Sequence, residues 1–158
     1  MDYLRPFRRT ERPWEISNRL GRMRYLVNHL VWQDSICQLT TGEDWVISTS
    51  QEGHRLIALW PNKECVTRSM KVDESLDFKF KFLSSLTIED DLLSKMYEDE
   101  LIAAFPSPRQ KYEMLTVSEF RRAVRFSYLL KRVHEDALSQ DEARELSDFI
   151  ALQRTDAD

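Results

Sequence analysis

The chain has little glycine, cysteine or histidine: among its 158 residues are three glycines, two cysteines and three histidines. Three isolated glycines do not form the phosphate-binding loops of Walker ATPases or of enzymes that bind nicotinamide dinucleotides, which argues against both classes. Cys37 and Cys65 have no CxxC partner, so zinc-ribbon and thioredoxin-like sites are excluded. The histidines also lack the spacing of metal ligands. The sequence therefore predicts neither a cofactor nor a metal.

Long hydrophobic runs are also absent. No apolar run approaches the roughly 20 residues that a membrane span needs, and the first residues have no apolar core of signal-peptide type. We therefore predict a cytoplasmic protein with no membrane contact, in which both cysteines are reduced. The length predicts one domain.

Catalytic patterns are weak as well. No serine lies in a GxSxG turn, and neither cysteine has the surroundings of an activated thiolate. The acidic clusters 89–91 and 98–100 could supply an acid and a base, or bind a divalent ion. The first falls in the first turn of a predicted helix and the second in a tight connection, so a structural role is favoured for both. A small-molecule enzyme is the weakest of three functional hypotheses.

Charge is unevenly distributed around the net value of −4. Residues 1–24 contain seven arginines and three acids, whereas residues 133–158 contain eight acids and two arginines. Residues 1–13 contain two prolines and no periodic pattern, which predicts a basic N-terminal arm. A single domain is then predicted over residues 14–153, followed by a frayed tail at 154–158.

The arm and the tryptophan beside it combine aromatic side chains with arginines, the residue types that dominate binding hot spots. These residues are therefore candidates for binding a partner: Arg5, Phe7, Arg8, Arg9, Arg12 and Trp14. The alternative is that the arm folds back on the acidic C-terminal helices of the same chain.

The middle of the chain predicts a β-sheet. Runs 35–40, 44–49 and 55–60 are rich in β-branched or aromatic residues and are separated by turn-forming tetrads. Runs 55–60 and 101–105 are apolar on both faces and each ends at a proline, which is typical of central strands. Residues 76–83 alternate phenylalanine with charged residues, which predicts a half-exposed strand whose lysines protect an edge.

Helical patterns cover most of the remainder. The three- and four-residue apolar steps between residues 14 and 32 predict an amphipathic helix, and Asn62 is placed to cap a short one. Capping boxes at 116–119 and 139–142 open the last two helices. The predicted fold is α+β: an antiparallel sheet of about five or six strands with helices packed on it and a C-terminal helical hairpin.

A stripe of basic residues follows the first of these boxes. Arg121, Arg125, Tyr128 and Arg132 recur at steps of four, three and four, so they lie on one helix face. Such a stripe can bind phosphate or an acidic partner. The structural alternative is that it pairs with acids of the next helix, namely Glu142, Glu145 and Asp148.

Two aromatic-proline motifs carry a family resemblance. The segments Leu59-Trp-Pro-Asn-Lys-Glu64 and Leu101-Ile-Ala-Ala-Phe-Pro106, with Trp45 near the second strand, resemble the bacterial domain-of-unknown-function family 2750 over roughly residues 20–125. The resemblance implies an α+β bacterial domain without an assigned catalytic residue. The basic arm and the two long C-terminal helices depart from the family pattern.

These patterns favour a non-enzymatic protein-binding module of a bacterium or phage, of the adaptor, immunity or inhibitor type, that uses the arm. The alternative is binding of nucleic acid or another polyanion through the arm and the arginine stripe, although the overall acidity argues against a duplex binder. A second copy of the chain is a further partner that the sequence permits.

Overall fold

The computed structural model describes residues 12–16, 18–41, 44–45, 47–49, 52–69, 78–106 and 112–156. Its helices are α1 (Arg19–Gln33), α2 (Lys63–Ser69), α3 (Thr87–Asp91), α4 (Val117–His134) and α5 (Gln140–Asp156). Its strands are β1 (Ile36–Thr41), β2 (Asp44–Trp45), β3 (Ile47–Thr49), β4 (Arg55–Leu59), β5 (Phe78–Leu83), β6 (Leu101–Ala104) and β7 (Met114–Thr116). Short 3-10 turns span Pro13–Glu15 and Leu93–Lys95. The predicted α+β class is confirmed.

The described strands form two sheets, so the prediction of one antiparallel sheet is wrong. The strand orders are β2-β1-β5 and β3-β4-β6-β7, and β4 and β6 pair in parallel. One residue separates β2 from β3, so the chain passes from one sheet to the other there. Cys37 and Trp60 also join the sheets, because their backbones exchange hydrogen bonds of 2.7 and 2.9 Å.

The two strands predicted to be central do lie inside a sheet. Strand β4 has β3 and β6 as neighbours, and β6 has β4 and β7. Their apolar faces are buried, with Ile57 and Ile102 directly opposite each other. A residue pattern gives no strand direction, and the chain returns through α2, β5 and α3 before β6 begins. The parallel pairing therefore could not be read from local sequence.

Helix α1 begins at Arg19, later than the predicted Trp14. The Asn18 side chain caps it by accepting from the backbone N–H groups of Leu20 and Gly21 at 2.9 and 3.2 Å. Pro13 instead starts a separate 3-10 turn and is buried. The inner face of α1 consists of fully buried residues that belong to the main core: Met23, Leu26, Val27 and Leu30.

Helix α1 also buries an arginine. The Arg22 side chain is fully buried, and its Nη1 donates to the carbonyl of Ile16 at 3.1 Å while its Nη2 donates to the carbonyl of Phe105. Its guanidinium lies 4.1 Å from the centre of the Phe105 ring. Burial lowers the pKa of Arg22. One side chain thus ties the N-terminal turn to the end of β6.

The C-terminal helices form the predicted pair in contact. Both capping boxes are present: Thr116 and Glu119 bond reciprocally, as do Ser139 and Glu142. The interface between α4 and α5 has its own small apolar cluster, separate from the main core and centred on Phe126, Leu129 and Leu146. Helix α5 therefore rests on less apolar burial than the sheets do.

Candidate functional site

Two of the six candidate residues in and beside the predicted arm fall within the described residues, namely Arg12 and Trp14. Arg5, Phe7, Arg8 and Arg9 lie outside the described residues. Arg12 is exposed and its Nη1 lies 3.4 Å from Glu15 Oε1. Trp14 packs half-buried against the core, and the Arg68 guanidinium lies 5.5 Å from the centre of its ring. Trp14 therefore contributes to the packing of the domain, and its role in binding a partner stays a prediction.

Arg121, the first residue of the predicted stripe, connects three parts of the chain. Its Nε and Nη2 donate to the two carboxylate oxygens of Glu89 at 3.0 and 2.6 Å, and its Nη1 donates to Glu98. The hydrogen bonds that Arg121 donates to Glu89 are the largest reason that the pKa of Arg121 is raised. Arg121 thus holds the two acidic clusters on which an enzymatic hypothesis depended.

The rest of the stripe pairs with the next helix. Arg125 donates to both carboxylate oxygens of Glu145 at 2.9 Å, and Arg132 Nη2 lies 3.4 Å from Glu142 Oε1. Hydrogen bonding to Arg125 lowers the pKa of Glu145. Tyr128 lies between them, with the Arg125 and Arg132 guanidinium groups 5.4 and 6.0 Å from its ring centre. These contacts support the structural alternative for the stripe.

The charges of the stripe are therefore compensated. Three guanidinium groups face four carboxylates, those of Glu89, Glu98, Glu142 and Glu145. The group has no net positive charge to offer a phosphate backbone, whose binding depends on neutralisation.

A different surface carries exposed apolar groups at the ends of α1 and α4. The His134 and Trp32 rings meet edge to face at 5.3 Å, and Lys131 Nζ lies 5.8 Å from the Trp32 ring centre. Leu86, on the turn after β5, is 83% exposed. We call this region the Trp32 surface; it comprises Trp32, Asp34, Ser85, Leu86, Lys131 and His134. Sequence analysis missed it, because these residues come from three separate segments.

Asp34 holds the Trp32 surface together. It has a left-handed backbone conformation after α1, with φ of 57°, and its Oδ1 accepts from the backbone N–H of Ser85 at 2.9 Å and from the Ser85 hydroxyl. These hydrogen bonds lower the pKa of Asp34. The end of α1 is thereby fixed to the turn that carries Leu86.

We expect Asp34 to make stability depend on acid pH. Because its folded pKa lies below the unfolded value, its contribution is complete above the unfolded pKa of about 4 and is lost as the pH falls through the folded pKa. Because Asp34 is exposed, we expect it to contribute less than about 1 kcal/mol to the free energy of unfolding. Urea unfolding between pH 2 and 7 measures it against Asp34→Asn, which tolerates the same backbone conformation. If the free energy of unfolding changed with pH in the same way in both proteins, Asp34 would not be the source of the pH dependence.

Strand β5 differs from the predicted half-exposed strand. Phe82 is 57% exposed, Phe80 is partly buried beneath Lys63, and Lys81 is half-buried. The phenylalanine face is therefore not sealed against the core. Among the described residues β5 is also an edge strand, because β1 is its one strand neighbour.

The two cysteines are fully buried free thiols, and burial raises the pKa of each to about 12. We expect both to react with a disulfide reagent at neutral pH at least about a thousandfold more slowly in the folded protein than in urea, since the thiolate is the reactive form. Absorbance of the released thiol measures the rate. Fast labelling of the folded protein, or fewer than two thiols in unreduced denatured protein, would be inconsistent with this expectation.

No family model, curated protein or solved structure matches this chain. The resemblance to family 2750 stays a prediction. No described helix is long and apolar enough to cross a membrane. Within the described ranges, no group of three or more histidine, cysteine or acidic side chains is placed to hold a metal ion.

Proposed function

We propose that this chain is a non-enzymatic protein-binding module of the adaptor, immunity or inhibitor type, acting in a bacterium or phage. The observation that carries the proposal is the Trp32 surface. It combines an accessible tryptophan and a highly exposed leucine with charged groups at its margin. Exposed apolar groups beside polar ones are typical of contact surfaces, and tryptophan is enriched among hot spots.

The basic arm is the second part of this proposal. Its residues Arg5, Phe7, Arg8 and Arg9 precede Trp14, which packs against the core. We propose that the partner binds these side chains as well as the folded domain. Arginine and phenylalanine would then supply the charged and aromatic contacts of the interface.

Binding of a polyanion is less well supported. The stripe formed by Arg121, Arg125 and Arg132 is engaged by carboxylates of the same chain. A nucleic acid would have to displace those carboxylates, which costs the hydrogen bonds that they accept. The arm is the other basic element on which this alternative depends.

Capture of a partner by the tagged full-length chain, from a lysate of its source cells, tests the proposal. We expect one protein to be retained after nuclease treatment and in about 0.5 M salt, where a phosphate-dominated complex is much weakened. Leu86→Glu should reduce retention by about tenfold or more, because it places a charge in an apolar contact. Loss of all retention on nuclease treatment would favour the polyanion alternative.

Tyr97→Glu is the matched control. Tyr97 is 73% exposed and lies on the turn before β6, outside the Trp32 surface. It also exchanges one exposed apolar side chain for a carboxylate, so its effect on solubility and net charge resembles that of Leu86→Glu. Equal retention by the two variants would reject the Trp32 surface as the contact site.

A further inference from the structure

In the part of the chain that the structure describes, strand β5 has one edge without a strand neighbour, which we call the open edge. Within the described part of the chain its neighbour is β1 alone, and β1 pairs with it along all six residues. Edge strands present backbone N–H and C=O groups to which an extended segment of another chain can add. Lys79 and Phe82 are exposed, and Phe80 and Lys81 are half-buried.

The backbone groups at this edge can be assigned. Cys37 uses its N–H and C=O to bond Trp60, so both groups point away from β5. Phe82 lies directly opposite Cys37. Residues opposite each other without mutual hydrogen bonds direct their own backbone groups outward in an antiparallel pair. Phe82, and by alternation Phe80, therefore present N–H and C=O at the open edge.

A second contact agrees with this assignment. The Thr40 hydroxyl on β1 donates to the Lys79 carbonyl at 3.3 Å, so that carbonyl points toward β1. Lys79 and Lys81 alternate with the phenylalanines, and their backbone groups face inward. Their side chains lie on the opposite face of the strand from those of Phe80 and Phe82.

We propose that β5 is a docking strand for an extended segment of a partner protein in which acidic and apolar residues alternate. This inference rests on the proposed protein-binding function and names the chemistry of the partner. Such a segment would place carboxylates beside Lys79 and Lys81 on one face and apolar side chains beside Phe80 and Phe82 on the other. Both kinds of cross-strand pair are stabilising.

A second copy of β5 fits poorly at this edge. In any antiparallel register that puts the phenylalanines of two copies on one face, lysines of the two copies share the other face. A shift by one residue instead puts phenylalanine opposite lysine. Like charges directly opposite are destabilising. The lysines thus oppose self-pairing while favouring an acidic strand.

Synthetic peptides test the proposal with the full-length protein. The probe alternates glutamate and valine over about seven residues; one control replaces glutamate by lysine, and another has proline at its centre. We expect the acidic peptide to bind at least about tenfold more tightly than either control. On binding, hydrogen exchange should slow at the amides of Phe80 and Phe82 and change little at those of Lys79 and Lys81.

The double variant Lys79→Glu/Lys81→Glu should reverse the preference, so that the lysine peptide binds more tightly. Arg122→Glu/Arg144→Glu changes the net charge equally at exposed helix positions and should keep the acidic preference. The proposal is overturned if Lys79→Glu/Lys81→Glu still binds the acidic peptide more tightly than the lysine peptide. It is also overturned if the Phe80 and Phe82 amides are protected before peptide is added, because another part of the chain or a second copy then covers the edge.

Failure of this inference can be told apart from failure of the proposed function. If a captured partner binds Lys79→Glu/Lys81→Glu as tightly as the unmodified protein, β5 is not part of the interface, and the proposed protein-binding function still holds. Selective binding of the acidic peptide, in a chain that captures no protein, would reject the proposed function and leave β5 as a strand-accepting edge.

Discussion

Arg22→Ala should lower the free energy of unfolding by about 3–5 kcal/mol, because it removes two hydrogen bonds made by a buried charged donor and takes that donor from both carbonyls. For a chain of this size that corresponds to a fall in Tm of roughly 6–20 °C. Urea and thermal unfolding, followed by circular dichroism, measure the change. The expectation follows from the complete burial of Arg22 and its bonds to Ile16 and Phe105.

The backbone at Phe105 adds to this effect. Phe105 has a positive φ of 22°, which is unusual for a residue with a side chain, and its N–H donates to the Leu59 carbonyl at 2.7 Å. Such a conformation persists when its surroundings hold it. Arg22 holds the other side of the residue through the Phe105 carbonyl and ring.

Two further variants separate the causes. Arg22→Met keeps apolar packing on Phe105 and avoids burying a charge, so we expect a smaller loss of about 1–3 kcal/mol from the unpaired carbonyls. Arg19→Ala, at an exposed position on the same helix, should change stability by about 0.5 kcal/mol or less. If Arg22→Met were as stable as the unmodified protein, the hydrogen bonds would not offset the desolvation of the guanidinium.

Deletion of residues 2–11 should abolish partner capture while changing the Tm by a few degrees at most. The deletion stops there because Pro13 is buried and begins the 3-10 turn that precedes α1. The removed segment contains Arg5, Phe7, Arg8 and Arg9, the charged and aromatic candidates for the interface. Calorimetry and the capture assay give the two readouts.

A substituted arm checks this prediction at constant length. Replacing Arg5, Arg8 and Arg9 by glutamine keeps the backbone but removes the guanidinium groups, and capture should fall about as far as in the deletion. If the arm instead folds back on the acidic helices, the deletion would lower the Tm markedly, most of all at low salt. If the protein without residues 2–11 captured its partner as well as the full chain, the arm would not be part of the interface.

Local signals predicted the elements well where one short-range interaction decides the structure. Thr116 with Glu119 and Ser139 with Glu142 are capping boxes that form within one turn, and Asn62 caps α2 by accepting from the Cys65 N–H at 2.9 Å. The apolar runs of β4 and β6 likewise predicted burial on both faces. In the three caps the sequence neighbours are also the spatial neighbours, and in β4 and β6 the apolar composition of the run itself indicates burial.

The rest depends on contacts between distant segments. Strand direction in the β4 and β6 pair is set by the chain between them, and the division of the sheet occurs within the single run 44–49. The Trp32 surface joins Asp34 to Ser85 across 51 residues, and no periodic pattern links them. The spacing of Arg121, Arg125 and Arg132 predicted that they lie on one face of α4. Their pairing with carboxylates could not be decided from that spacing, because it depends on where α3 and α5 pack.

The small apolar cluster between α4 and α5 has a consequence for partial unfolding. Elements that bury little apolar surface detach at a lower free energy than the whole protein unfolds. Helix α5 contributes the buried Leu146 and the partly buried Phe149 to that cluster, while β4 and β6 lie in the main core. Detachment of α5 carries Glu142 and Glu145 away from the stripe, so Arg125 and Arg132 would lose these carboxylate partners in that partly unfolded form, while Arg121 keeps Glu89 and Glu98.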